Sequence, residues 1–269
     1  MKVKTSLYIL IFSLVFISCE DVIDVDLPKT EKRLVVDALV RVPAELSDEI
    51  VNVSVLLTST APFDEEGVPL ITGAEVRFIT QSASFLFTDA GDGNYITQMP
   101  VEILKTETIE LVIKYENETY SSTANYVPTV PIDSLEEGDG ALFNGDETEV
   151  IITYTDLAPR IDYYLFDLDK TYFLASEDKF YQGQQFSFSY FYEDLEPQTV
   201  LYVDILGVDK SFYDYMNIVI TQSGQDSGGP FESPPATVRG NIINTTNKEN
   251  YALGYFAIAQ EYSATITLE

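Results

Sequence analysis

The feature that most constrains the fold of this chain is a two-residue rhythm. Val51, Val53, Val55 and Leu57 alternate with Asn52, Ser54 and Thr58. Ala74, Val76 and Phe78 alternate with Glu75 and Arg77, and Ile109, Leu111, Ile113 and Tyr115 with Glu110, Lys114 and Glu116. Successive side chains on a strand point to opposite faces, so this pattern gives half-buried antiparallel strands and argues against a helical fold. The 18 tyrosines and 16 phenylalanines, together with many valines, isoleucines and threonines, suit a pleated surface. Strands are expected near 33–41, 50–58, 73–80, 84–88, 93–98, 108–116 and 118–126, with a tight turn at Asp89-Ala90-Gly91-Asp92-Gly93-Asn94. Short strands at this spacing predict an immunoglobulin-like sandwich. With one cysteine and no tryptophan, the antibody-type disulfide and its tryptophan are missing, which leaves the architecture itself untouched.

Pro128 and Pro131 precede the polar stretch Asp133-Ser134-Leu135-Glu136-Glu137-Gly138-Asp139-Gly140. Clustered Pro, Gly and charge read as a linker, which divides an N-terminal immunoglobulin-like domain over 31–130 from a C-terminal β-rich domain over 131–269. Alternation resumes at Val150, Ile152 and Tyr154, and Phe186, Phe188, Tyr190 and Tyr192 share one strand face. Thr199 to Leu206 reads as a further strand. Asp209 is placed to N-cap a short helix carrying Phe212, Tyr215, Met216, Val219 and Ile220, ended by Ser223-Gly224. Closing strands are expected near 236–243, 251–259 and 262–268. The fold class is thus all-β, two tandem β-sandwich (immunoglobulin-like) domains, the second with one short helix.

The N-terminus addresses location. Residues 1–5 carry two lysines, and residues 6–18, SLYILIFSLVFIS, form an uncharged apolar run of 13. This has the form of a secretory signal and is shorter than the roughly 20 residues of a membrane-spanning helix; the competing reading is a buried N-terminal helix. The run ends Phe16-Ile17-Ser18-Cys19, which resembles the lipobox of bacterial lipoproteins, with Phe16 where Leu is usual. Cys19 has no possible disulfide partner within the chain, and acylation of its sulfur gives the thiol a use. Residues 1–18 are then the signal peptide and 19–30 an acylated tether that joins the protein to lipid. Glu20 and Asp21 are either a surface-export signal or a plain polar tether. Cleavage removes Lys2 and Lys4 from the 15 basic residues and leaves 13 against 44 acids, a formal charge of −31. Such a surface repels phosphate backbones, so no nucleic-acid partner is expected.

Little catalytic apparatus is available. Without histidine, imidazole acid–base chemistry and imidazole metal ligation are both excluded. Phosphate-binding glycine loops and nucleophile elbows are missing. A glycoside hydrolase needs only two carboxylates, and among so many acids no pair stands out. Asp89, Asp92 and Asn94 put three oxygen-bearing side chains in one turn, but their spacing is not that of an EF-hand, and a hairpin requires the same residues. Asn144-Gly145-Asp146-Glu147 reads likewise. No cofactor is expected and no metal ligand is assigned; calcium is possible on so acidic a chain, but acidity alone does not establish it. The aromatic block from Tyr163 to Tyr192 is either sandwich core or a binding platform for sugar, peptide or protein. Phe231, in the loop Gln225-Asp226-Ser227-Gly228-Gly229-Pro230-Phe231-Glu232, has no strand face to fill and is a candidate partner contact.

Taken in order, "CEDVIDVDLP", "KRLVVDALV", "GAEVRF" before "DGNY", "PIDSL", "GPFESPPATVRGNI" and "ALGYFAI" resemble a family of Bacteroidetes outer-membrane lipoproteins that carries a domain-of-unknown-function label. The polar stretch Asn244 to Asn250 is longer than the turn that pattern suggests. The resemblance implies acids after Cys19 acting in export, Asp133-Ser134-Leu135 as an O-glycosylation motif with Ser134 as acceptor, and a TonB-dependent outer-membrane receptor as partner. The expected function is that of a non-enzymatic accessory or ligand-capture subunit of such a transport system at the outer membrane, facing the exterior. An adhesion or structural surface module is the alternative, and a carboxylate-based hydrolase is the third reading.

Overall fold

A computed structural model describes residues 31–46, 49–62, 67–140, 147–169, 172–223 and 237–269. In the first half the strands are β1 (Leu34–Pro43), β2 (Ile50–Ser59), β3 (Glu75–Ile79), β4 (Ser84–Leu86), β5 (Thr88–Asp89), β6 (Asn94–Pro100), β7 (Ile109–Tyr115), β8 (Glu118–Ala124) and β9 (Tyr126–Val127), with a helix α1 (Val101–Thr106) after β6. The second half contains β10 (Ile132–Glu137), β11 (Thr148–Thr155), β12 (Tyr163–Asp167), β13 (Phe173–Glu177), β14 (Gln185–Tyr192), β15 (Val200–Val208), α2 (Lys210–Ser223), β16 (Ile243–Asn244) and β17 (Leu253–Thr267).

The chain is all-β in character, and its strands pack as sandwiches. A long sheet runs β13-β12-β15-β17-β1-β2-β6-β5, with β9 pairing alongside β17. A five-stranded sheet, β16-β8-β7-β3-β4, faces the β1-β2-β6 end, and a three-stranded sheet, β10-β11-β14, faces the β12-β15 end. Between the first two lies a core that includes Val36, Val55, Phe78, Tyr95, Leu111 and Phe256. The second core holds Val150, Ile152, Tyr154, Tyr164, Phe166 and Val203. The alternating residues of 51–57, 74–78 and 109–115 turn their apolar members inward, as the period-two pattern requires. Most of the aromatic block belongs to the second core. Tyr154 meets Tyr164 edge-on at 5.3 Å between ring centroids, and Phe166 meets Phe188 at 5.0 Å.

Helix α2 closes the other face of the long sheet. Asp209 Oδ1 accepts the Phe212 N–H at 2.8 Å, the capping contact expected from sequence. Phe212 and Ile220 pack on Leu165, Leu206 and Val208. Strands β12 and β15 are therefore covered on both faces, which is why Tyr163-Tyr164-Leu165-Phe166 and Ile205-Leu206 lack polar alternation.

Three expectations give way to the tertiary structure. The expected linker forms a strand: Ile132 to Glu137 pair with β11 at the edge of the three-stranded sheet. Ile132 and Leu135 pack on the second core while Asp133, Glu136 and Glu137 stay exposed. A register shift between Ile132 and Ser134 hides the alternation. Next, the strands expected at 251–259 and 262–268 are one, β17. Gln260-Glu261 looks like a polar break, yet Gln260 Oε1 accepts the Thr129 N–H at 2.9 Å and Glu261 is ion-paired with Arg41. Finally, the closing strand expected at 236–243 shrinks, among the described residues, to its last position: residues 237–242 are irregular, and Ile243–Asn244 pair with β8 as β16, where Asn244 clasps that strand. Its side-chain Nδ2 donates to Glu118 Oε2 at 2.9 Å and its Oδ1 accepts the N–H groups of Thr246 and Asn247, so the long polar stretch wraps β8 and forms no simple hairpin.

β17 joins the two cores. Residues 253–261 run parallel to β1 and residues 261–267 antiparallel to β15. The β1 pairing requires Gly254: its φ is +93°, and a Cβ there would lie 1.9 Å from the Val36 carbonyl oxygen. Among the described residues, no helix is long and apolar enough to cross a membrane.

Candidate functional site

The most unusual polar arrangement lies where the long sheet meets the three-stranded one. Asp156 directly follows β11, Asp162 directly precedes β12, and Asp178 directly follows β13. Strand pairing brings these three ends together, and one oxygen from each carboxylate lies within 4.8 Å of one from each of the others. The residues are 3%, 6% and 0% exposed. Carboxylates are almost never so buried unless paired.

Their partners account for only some of the oxygens. The Tyr164 hydroxyl donates to Asp156 Oδ1 and the Gly183 N–H to Asp156 Oδ2, the latter at 2.6 Å. The Asp162 N–H donates to Asp178 Oδ2 at 2.9 Å. Arg160 Nε lies 2.5 Å from Asp162 Oδ1 as an ion pair. Asp162 Oδ2 and Asp178 Oδ1 are buried with no hydrogen-bond partner, and so are Arg160 Nε and Nη2, whose contact with Asp162 is an ion pair without hydrogen-bond geometry. Burial pushes Asp178 above the usual carboxylate range; the Asp162 N–H opposes this, and the charges of Asp156, Asp162 and Glu177 add to it. Burial likewise raises the Tyr164 hydroxyl, as does its bond to Asp156, so it stays a donor. One arginine thus stands beside three closely placed acids. At this degree of burial the cluster is closed to a glycoside.

The loops that carry these acids are tied together and display apolar side chains. Gln182 Nε2 donates to the Arg160 carbonyl at 2.6 Å, and Gly183, at φ +69°, sits so close to Ala158 that a Cβ would approach the Ala158 Cβ to 2.4 Å. On the same two loops Leu157, Ile161 and Phe180 are 53%, 67% and 85% exposed.

A second ionic cluster sits at the joint of the two cores. Arg41, on β1, reaches Asp167 Oδ2 on β12 at 2.9 Å, Asp204 Oδ2 on β15 at 2.6 Å and Glu261 Oε2 on β17 at 2.9 Å. One guanidinium thus binds strands of both halves. Burial raises Glu261 above its usual range; Arg41 pulls it down and Asp204 pushes it up. Elsewhere a cleft of ≈ 340 Å³ beside α2 is lined by residues including Tyr215, Ile218, Arg239 and Asn241. Arg33 and Arg239 each lie 3.6 Å from the centroid of the Tyr251 ring.

Of the residues singled out in the sequence, Cys19, Glu20, Asp21 and Phe231 lie outside the described residues, as do residues 144–146. Ser134 is half-buried in edge strand β10, opposite Thr153. The Asp89 turn is a hairpin device: its carboxylate accepts the N–H groups of Gly73 at 2.6 Å and Gly91 at 2.8 Å, which hold Asp89 below the usual range, and Asp92 accepts the Asn94 N–H at 3.1 Å. Asp156, Asp162 and Asp178 were not legible as a group, because no local spacing links them. The available signal was weaker: each acid sits at the end of an apolar strand, where a turn residue would also be found.

Fold and sites together define a β-sandwich protein built around one shared long sheet. More particularly, residues 20–265 match the family described as "Domain of unknown function (DUF4249)", and the chain belongs to that family. Among curated proteins, none matches the chain in sequence. One solved structure to which it is similar is described as "Structural insight into host cell surface retention of a 1.5-MDa bacterial ice-binding adhesin"; identity is 8%, the TM-score 0.24, and the match covers 88% of this chain and 64% of that one. So distant a likeness carries no functional argument.

Proposed function

We propose that the protein is a lipid-anchored lipoprotein of the outer membrane, facing the cell exterior, that serves as a non-enzymatic accessory or ligand-capture subunit of a TonB-dependent transport system. The observation that carries this reading is Cys19, placed directly after a 13-residue apolar run and directly before Glu20 and Asp21. The family match, over residues 20–265, leaves the apolar run outside it. Two or three acyl chains on one residue hold a protein at a bilayer without spanning it. The formal charge of −31 on the mature chain favours a solvated body that does not self-associate. Leu157, Ile161 and Phe180, exposed on adjoining loops, form the apolar surface offered to the receptor.

The test is recovery of the tagged full-length protein from native membranes in mild detergent. The expected result is co-purification of an outer-membrane barrel receptor, reduced when Phe180 and Ile161 are replaced by serine. Recovery without any barrel protein, under conditions that preserve known receptor–lipoprotein pairs, would refute the accessory role.

A further inference from the structure

We infer that Asp156, Asp162 and Asp178 form a binding site for one hard divalent cation of the calcium type. Geometry is the first support. Oxygens bound to a common calcium ion at about 2.3–2.6 Å stand no more than about 4.6–5.2 Å from one another, and one oxygen from each carboxylate meets that limit, all lying within 4.8 Å. The second support is independent of the clustering. Asp162 Oδ2 and Asp178 Oδ1 belong to residues 6% and 0% exposed and have no hydrogen-bond donor. Unpaired buried carboxylate oxygens are strongly disfavoured, and a cation among them supplies the missing partner.

The surroundings fit a ligand shell. The Tyr164 hydroxyl, the Gly183 N–H and the Asp162 N–H hold Asp156 and Asp178 in place; such outer contacts orient ligating groups and leave lone pairs for the metal. Arg160 neutralises one of the three charges through Asp162, and a divalent cation matches the two that remain. The donor set is all oxygen, which suits calcium and disfavours zinc or copper. A bound ion would join the loop after β11, in the three-stranded sheet, to the ends of β12 and β13, in the long sheet. It would thereby fix the loops that carry Leu157, Ile161 and Phe180.

The test uses the full-length chain in detergent, stripped with EDTA and titrated with terbium or calcium. The chain has no tryptophan, so terbium emission must be sensitised by tyrosine, and Tyr164 is hydrogen-bonded to a ligand. Expected are one sensitised terbium per chain, displaced by calcium at lower concentration than by magnesium, and a thermal midpoint raised by roughly 5–10 °C at hundredfold calcium saturation. Asp178→Asn and Asp162→Asn should each weaken calcium at least tenfold, while Asp92→Asn, in the exposed hairpin, should change neither readout. Should the cluster variants fail to fold, the wild-type titration decides alone. Terbium emission no stronger than that of the urea-unfolded chain, with equal midpoints in EDTA and millimolar calcium, overturns the site. So does an Asp178→Asn variant whose midpoint in EDTA exceeds that of the wild type, in a chain that ignores calcium: the acids then share a proton.

Discussion

Replacing Arg41 with Gln probes the joint between the two cores. Arg41 holds Asp167, Asp204 and Glu261 at 2.9, 2.6 and 2.9 Å, with acid side chains 19%, 17% and 13% exposed. Removing one partner of a buried ionic cluster costs about 3–5 kcal/mol, because the remaining charges stay desolvated and repel one another. Arg41 is itself 33% exposed, so water screens part of that loss, and about 3 kcal/mol is expected near neutral pH, roughly 6–12 °C in midpoint. The pH dependence separates this account from lost packing. Glu261 is held above its usual range, so the folded state binds its proton more readily than the unfolded state, and its contribution to stability grows as pH falls. Without Arg41 nothing pulls Glu261 back down. Its carboxyl rises further, and the penalty of the variant should shrink as the pH drops from 7.5 toward 4.5. Urea unfolding of the full chain, followed by circular dichroism, measures both effects. Adding Asp204→Asn and Glu261→Gln to the variant should recover most of the loss. A penalty under about 0.5 kcal/mol, the range of ordinary surface substitutions, or one identical at pH 7.5 and 4.5, would refute an electrostatic role for this joint.

Gly254→Val should cost about 3 kcal/mol or more, since φ +93° and contact with the Val36 backbone admit no side chain; soluble yield and thermal midpoint report it, and a near-normal midpoint contradicts the close approach of β1 and β17. Asp209→Ala should cost about 1 kcal/mol through loss of the α2 cap, read as a shift in denaturant midpoint at constant slope. Cys19→Ala should abolish labelling by a fatty-acid probe; persistent labelling places the anchor elsewhere. Neutralising Glu20 and Asp21 should retain the anchor but lower cleavage by protease added to whole cells, and unchanged cleavage would leave these acids as a plain tether.

Local rules reached as far as local causes did. The strands of the first half were legible because one buried face imposes alternation on each of them independently, as at Val51 to Leu57. The α2 cap was legible because Asp209 and its partner Phe212 are three residues apart. Polar residues near 133 and 260 misled because their role depends on distant neighbours. Glu261 interrupts an apolar pattern in sequence, but it meets Arg41 from 220 residues away, and β17 passes through it without a break. The acid cluster is a stronger case. Asp156, Asp162 and Asp178 are ordinary turn acids until strand pairing sets three strand ends side by side and closes water out.

From its own order of residues the chain determined a β architecture, a helix after Asp209, an acidic composition and a lone thiol directly after an apolar run, because each follows from short-range periodicity, composition or spacing. Only tertiary structure decided that β17 joins two cores into one sheet, that Arg41 pins that joint, and that three carboxylates converge with two oxygens unpartnered. Those facts rest on long-range pairing, and burial is what turns a charged side chain from a solvated ornament into a demand for a partner.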